Sequence, residues 1–504
     1  MSEWSAELRR IPGWWKLYRD PATRQEWSNM AQKRVFKVRT PSSAVDVKLS
    51  DHQINYLLDE LEGYAALRHP ETGCQLSCFE RIWELELPAS HTTLSSLNAA
   101  LAILRSETTA HPWDSNGICT ALVDPYLHPL VYNRTLVAHP HNRYLRTLPS
   151  PTGGDIYTVS PNLAFLPAEV TISTTGAVSF SSYINNLHPQ KHADIYKQLE
   201  TLLGTSFIPL FERVLTDLHR NNPLPQRIPG PCRYTVWDEP DEPEYSDDEA
   251  GWVAYEREMR HWVMNRPIHL PDVPPNGYTG GLAARKHTVS LGGKNVQVVV
   301  GIEDMRLEPG GPSYPGSPWH VEGMRNERIV ACGELYTAVE NITPPALEFR
   351  MAVTYPRGFT AGDTGATART WGLRDSDACH QYIGARALTP GLAIAFPNLY
   401  QHRLSPFALV DPSLSGRLGV LRFWLVDPEI WPVVSTGVVA PQQMGWIREA
   451  VGESLGQWLP VELVEQVMSE VEGLMGKEEA EEYKMALRVC ARISTLIRWF
   501  PSVD

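Results

Sequence analysis

Apolar positions recur along this chain in two periods, and the change from one to the other divides it. After Ser50, the residues Ile54, Leu57, Leu58 and Leu61 form one stripe at helical spacing, and Ser50 with Gln53 has capping-box spacing. Residues 94–104 read as a second, largely buried helix. Ile195, Leu199, Leu202 and Leu203 mark a third, which Gly204 is expected to end. Pro209 is expected to open the next, with Leu210, Phe211, Val214, Leu215 and Leu218 on one side. These helices fit the role of buttresses outside a sheet. Residues 1–45 are Trp-rich without a clear period, and 112–151 read as loops and short strands.

Past residue 249 the pattern turns to strands. Residues 288–291 and 296–302 flank Gly292-Gly293-Lys294-Asn295, a hairpin signal. Further runs follow at 328–339, 346–354, 392–396, 403–409 and 418–426, separated by Gly and Pro turns. Such spacing predicts an α+β protein whose core is a double-stranded β-helix of the jelly-roll, cupin-like kind, with flanking helices. Helical spacing returns over 442–500, through Leu463, Val464, Val467, Met468 and Val471. The expected organisation is a mixed, mostly helical region over 1–180, a helical buttress with an acidic loop over 181–290, the jelly-roll core over 291–440, and C-terminal helices over 441–504.

Composition changes this picture little. At 504 residues, with 43% hydrophobic and 20% charged, the chain resembles an ordinary soluble globular protein whose core needs neither disulfides nor a structural metal. The net charge of −13 is concentrated: DEPDEPEYSDDE at 238–249 holds eight acids and no base, leaving −5 elsewhere. That run predicts a solvated loop, and the remainder has no basic field for a nucleic acid. The seven cysteines, an odd and scattered set, argue against a disulfide framework, and the Cys74/Cys78 pair is a weak metal signal. No apolar run approaches the length of a membrane span, and MSEWSAELRRIPGWWKLYRD has no apolar signal region. A cytoplasmic protein without membrane or nucleic-acid partners is expected.

The candidate chemistry lies between Tyr314 and Pro428. Three His-x-acid triplets occur. His69-x-Glu71 is broken by Pro70, and His192-x-Asp194 opens a helix, where positions two apart point about 200° from each other. His320-x-Glu322 lies in an extended stretch, where such positions share a face about 6.5–7 Å apart. With His402 it supplies two imidazoles and a carboxylate, the set that non-haem iron(II) oxygenases place on one face of the metal. Arg417, at the head of the next apolar strand, suits the far carboxylate of a chelated 2-oxoglutarate, since a guanidinium grips a carboxylate with two parallel hydrogen bonds. The parity of Arg422 is opposite. Arg417 is preferred because Gly419, Leu421, Phe423 and Leu425 on its face make a plausible inner wall. If Asp411-Pro412-Ser413 is a hairpin bend, Arg417 lies about 15 Å of strand from His402. Ordinary hydrogen-bonded core histidines remain the alternative for His320 and His402.

YPGSPWHVEGMRNERIV, the Glu340-Asn341-Ile342 turn, AFPNLYQHRLSPF and LVDP, with SYINNLHP and IPLFERVL upstream, resemble the fungal family DUF4246. The FPN…HR block also resembles prolyl-hydroxylase-like 2-oxoglutarate oxygenases. The resemblance implies iron(II) held by His320, Glu322 and His402, 2-oxoglutarate held by Arg417, dioxygen, and a small-molecule substrate. Glu322 departs from the Asp usual at that position. The likeness further implies fungal secondary metabolism and a small amino acid such as valine, hydroxylated or closed to an aziridine. Tyr336, Leu347 and Phe349 are candidates for the substrate wall, and Arg325 and Arg350 for a substrate carboxylate. Two rivals stand beside this reading: a non-catalytic jelly-roll binding protein, and a metal-dependent enzyme that does not use 2-oxoglutarate.

Overall fold

Six strands frame the region of interest in a computed structural model of the chain: β1 (Asn295–Leu307), β2 (Ile329–Glu340), β3 (Ala346–Ala352), β4 (Leu392–Pro397), β5 (Gln401–Leu404) and β6 (Gly416–Val426). The structure describes residues 1–497 apart from 42, 89, 108–116, 140–143, 154, 156, 355–358, 360–362, 375 and 456. Two units can be distinguished, one of residues 1–67, 224–284 and 350–384, the other of 68–223, 285–349 and 385–504.

The second unit is built on a nine-stranded antiparallel sheet. Its order is Val178–Phe180, Ala168–Ile172, β1, β6, β2, β4, Trp83–Glu86, Gln75–Leu76, with Cys119–Val123 also paired to β1. β6 is central, pairing with β1 from Val298↔Leu425 to Leu307↔Gly416 and with β2 from Ile329↔Val426 to Glu340↔Arg417. Both faces of β6 are covered, so it reads as a nearly continuous apolar run. In a smaller sheet β5 pairs with β3, and Phe349 meets Phe396 of the large sheet at a ring-centroid distance of 5.0 Å.

Two helices cover the outer face of the large sheet, α1 (Ala193–Leu202) and α2 (Ile208–Leu218). Phe207 packs on Phe423 at 4.9 Å, and Gly333 of β2 lies under it, where a Cβ would come within 2.6 Å of the Phe207 ring. One expectation for these helices needs correction. Gly204 does not stop the helix; a π-helical turn, Leu203–Phe207, joins α1 to α2. Gly204 serves close packing instead, since a Cβ there would meet Gly176 O and Val178 at 3.2 Å.

The first unit is mostly helical, with Ser2–Leu8, Pro21–Lys33, Asp51–Leu67, Glu249–Asn265 and Thr364–Trp371 and a hairpin of Phe36–Arg39 with Ala44–Val47. The Ser50/Gln53 box forms as spaced: Gln53 N donates to Ser50 Oγ at 3.2 Å and Ser50 N to Gln53 Oε1 at 3.3 Å. Distant segments meet through Arg227–Glu60 at 2.9 Å and Gln53–Asp272 at 2.8 Å.

Three further expectations need correction. Residues 288–291 form no strand; their backbone is held by α2, with Leu291 N donating to Glu212 Oε1 at 2.7 Å and Val289 N to Thr216 Oγ1 at 2.9 Å, while β1 pairs with Ala168–Ile172. The acidic run ends in a helix that its composition hid: Asp248 caps Glu249–Asn265, accepting from Gly251 N at 2.9 Å. That helix buries no residue, so it leaves no apolar stripe to read. The turn at Asp411 does not make a hairpin of β5 and β6, which lie in different sheets. Among the described residues, no helix is long and apolar enough to cross a membrane.

Candidate metal centre

His320 and His402 face each other across an isolated antiparallel bridge, each backbone N–H donating to the other's carbonyl, at 3.1 and 2.9 Å. That bridge brings the imidazoles to a centroid separation of 4.3 Å. Glu322, two residues on, places Oε1 at 3.6 Å from both His320 Nε2 and His402 Nε2. One donor atom from each of the three lies within 4.8 Å of the others, the one such cluster among the described residues. The sequence-predicted triad is thus brought together.

The surroundings fix where these groups stand. His320 Nδ1 donates to Pro318 O at 2.8 Å, so that in the neutral ring Nε2 carries the lone pair. Asn398 clamps the Glu322 backbone on both sides, accepting from Glu322 N at 2.8 Å and donating to Glu322 O at 2.7 Å, and it donates to Ile329 O at 3.1 Å. His402 is 2% exposed, yet neither ring nitrogen has a hydrogen-bond partner. A buried polar atom without a partner is costly, so such a ring calls for something the chain does not supply.

Electrostatics separate the three. Burial alone would raise the Glu322 pKa, but the two imidazoles outweigh it and hold the carboxyl well below the usual range. Burial pulls His320 down, and its interactions with Glu322 outweigh this, so its pKa is raised. Burial lowers His402, and His320 beside it lowers it further. The carboxylate form of Glu322 and the neutral form of His402 are therefore favoured, whereas His320 gives up its proton less readily than an ordinary histidine.

The triad opens on a cavity of about 560 Å³ between the two sheets, whose lining is mostly apolar and includes Met305, Leu347, Leu404, Val420 and Trp424. The arginines of β6 divide as parity requires, but in the sense opposite to the preference above. Leu418, Val420, Arg422 and Trp424 line the cavity. Arg417 lies on the other face, pairing with Asp304 at 3.1 Å, and Leu421, Phe423 and Leu425 of that face are buried in the helical side. Arg422 bonds Glu303 at 2.5 Å and Glu334 at 3.2 Å. Burial would lower its pKa, but these two carboxylates outweigh it and keep it charged. Glu334 also accepts from Tyr336 Oη.

Of the candidate substrate residues, Tyr336 and Leu347 line the cavity. Phe349 is fully buried against Phe396, away from the lining. Arg325 sits in an exposed short turn, its backbone N donating to Thr158 O at 2.9 Å. Arg350 belongs to the other unit, where Nη1 lies 3.2 Å from His380 Nε2. Sequence reading missed Asn398, Glu303, Glu334, Tyr126 and Arg488. The one available signal was the FPN phrase before His402, which marked Asn398 as a turn residue and nothing more.

The family model described as "Protein of unknown function (DUF4246)" matches residues 51–450. The chain belongs to the DUF4246 family. The match covers the triad, Asn398 and Arg422, and ends before Arg488. No curated protein matches this DUF4246 chain. Solved structures similar to it include the Fe(II)/(alpha)ketoglutarate-dependent dioxygenase TqaL, at 8% identity and TM-score 0.30 over 71% of this chain and 87% of that one. Two others are IDO from Bacillus thuringiensis (10%, TM-score 0.17, 26% and 46%) and a prolyl-4-hydroxylase from Pseudomonas putida (10%, TM-score 0.14, 26% and 52%).

Proposed function

We propose that this DUF4246 protein is an iron(II)- and 2-oxoglutarate-dependent oxygenase acting on a small molecule. The observation that carries the reading is His402, buried with both ring nitrogens unpartnered beside an ionised Glu322 and a tautomer-fixed His320. Two imidazole nitrogens and one carboxylate oxygen are the donor set of an iron(II) site with positions left open for other ligands. His320, Glu322 and His402 would hold the metal. When bound, iron(II) with 2-oxoglutarate and dioxygen supplies the oxidising power to attack an unactivated C–H bond.

The chain's own part is positioning. Asn398 fixes where Glu322 stands, and Pro318 O keeps the His320 proton on Nδ1. Arg422, the guanidinium of β6 that faces the cavity, would take the far carboxylate of 2-oxoglutarate in place of Arg417. Leu347, Leu404 and Val420 would exclude water and pack an apolar substrate. The architecture supports the assignment. Along the chain, β1, β2, β4 and β6 join the large sheet, while the His320 bridge, β3 and β5 alternate with them on the smaller side. We read this alternation as a double-stranded β-helix.

A second reading rests on Arg422 being held by two carboxylates, Glu303 and Glu334. A co-substrate carboxylate must compete with both, which favours a metal-dependent oxygenase that does not use 2-oxoglutarate. Titration calorimetry with cobalt(II) tests the shared premise. One metal should bind per chain and be lost in His402→Ala and Glu322→Ala; equal binding in these variants would refute the site.

A further inference from the structure

The cavity has a second polar end that the triad does not use. Its wall there is Asp124, Tyr126 and Arg488. Arg488 comes from α3 (Lys477–Ile497), beyond the DUF4246 match. Its guanidinium carbon lies 4.4 Å from the centre of the Tyr126 ring, and Nη2 lies 3.3 and 3.4 Å from the two Asp124 carboxylate oxygens. One turn earlier on the same helix, Lys484 Nζ reaches Asp124 Oδ2 at 3.2 Å. Asp124 also accepts from Tyr126 N at 3.0 Å. One buried carboxylate therefore serves two cations, and it stays paired and hydrogen-bonded if Arg488 turns away.

That arrangement matters because releasing a cation from a buried pair normally strands its partner at high cost. On the Asp124 side that cost is limited, since Lys484 and a backbone donor remain. Arg417 lies off the cavity, and Arg422 is held by two carboxylates. Tyr126, half-buried, packs on Phe165 and Trp424 at ring-centroid distances of 4.9 and 6.4 Å; burial and then the charge of Glu322 push its phenol up, while Arg488 pulls it the other way. The same cavity is lined by Val123, Ile302, Leu347 and Val420, together with Arg422 and the Glu303 and Glu334 that pair with it.

We propose that Arg488, carried by the C-terminal helix, is the carboxylate anchor for the substrate, and that the substrate class is an apolar organic acid whose chain lies between Arg488 and the triad. The proposal rests on the oxygenase reading for its chemistry, but the binding step needs no metal. Tyr126 gives the guanidinium a flat face to rest on as it changes partner, and a carboxylate ligand would accept its two parallel N–H donors.

The test uses the full-length protein in EDTA, with hexanoate as probe and hexan-1-ol as its uncharged counterpart, followed by calorimetry or ligand-observed NMR. Hexanoate should bind more tightly than hexan-1-ol. Arg488→Leu should weaken hexanoate by about tenfold or more and leave hexan-1-ol unchanged, and Arg488→Lys should restore part of the loss. Asp124→Asn, which removes the competing carboxylate, should tighten hexanoate; a variant that merely misfolds cannot do this. Equal hexanoate binding by wild type and Arg488→Leu overturns the proposal, and so does weaker binding by Asp124→Asn. Cobalt(II) binding by the same variants is read separately. Its loss in wild type would sink the metal reading alone, and its retention with no carboxylate preference would sink the Arg488 assignment alone.

Discussion

Asn398 shows how much of the site depends on one side chain without ligating atoms of its own. It holds the Glu322 backbone from both sides and ties it to Ile329. Outer groups that orient ligands typically cost 10–100-fold in metal affinity when removed, and Asn398→Ala should weaken cobalt(II) by roughly that factor without unfolding the protein. Proton release is a second residue-scale expectation. Glu322 is already ionised and His402 lowered, whereas His320 is raised and keeps its proton longer than an ordinary histidine as pH rises. Near pH 6.5, metal binding should release about one proton, and affinity should fall as pH drops through the imidazole range. Calorimetry in buffers of different ionisation enthalpy would count them; release of two would contradict this assignment of charge. That His320, Glu322 and His402 belong together was legible in the sequence, from the extended His-x-acid spacing and from the family resemblance that joined His402 to it. Asn398 was not, since its partners are 69–76 positions away and nothing local marks it.

At the scale of elements, β6 explains where reading the sequence succeeded and where it failed. A strand was plain at 418–426, and so was the opposition of Arg417 and Arg422. Which of them faces inward was not readable, because β6 is buried on both faces and both sets of alternating residues are apolar. Arg417→Leu leaves Asp304 paired with Arg105 and should not alter 2-oxoglutarate binding. Arg422→Lys keeps a charge between Glu303 and Glu334 but loses the guanidinium fork; it should weaken 2-oxoglutarate about tenfold with metal affinity unchanged. The opposite ranking would return the role to Arg417. The contact between β2 and the helices makes a separate prediction. Gly333→Ala would press a methyl group into Phe207 and should cost about 1–3 kcal/mol in denaturant unfolding, part of it recovered by adding Phe207→Leu.

The whole molecule was the least legible scale. Contiguous regions were expected, whereas the two units are assembled from three chain segments each. Tertiary pairs such as Arg227–Glu60 join distant segments within one unit and leave no local periodicity. The same applies to the C-terminal helix: helix was expected over 442–500, but the spacing that marked it falls in Val461–Ser469, and the delivery of Arg488 to the cavity by Lys477–Ile497 was not legible. The absorption spectrum of anaerobic protein with iron(II), before and after addition of 2-oxoglutarate, addresses the central claim most directly. Chelation of the keto acid to iron(II) held by His320, Glu322 and His402 should produce a weak visible charge-transfer band that is absent in His402→Ala and diminished in Arg422→Lys. A protein that binds iron without developing the band would contradict the 2-oxoglutarate assignment, and one that binds no iron would contradict the metal centre itself.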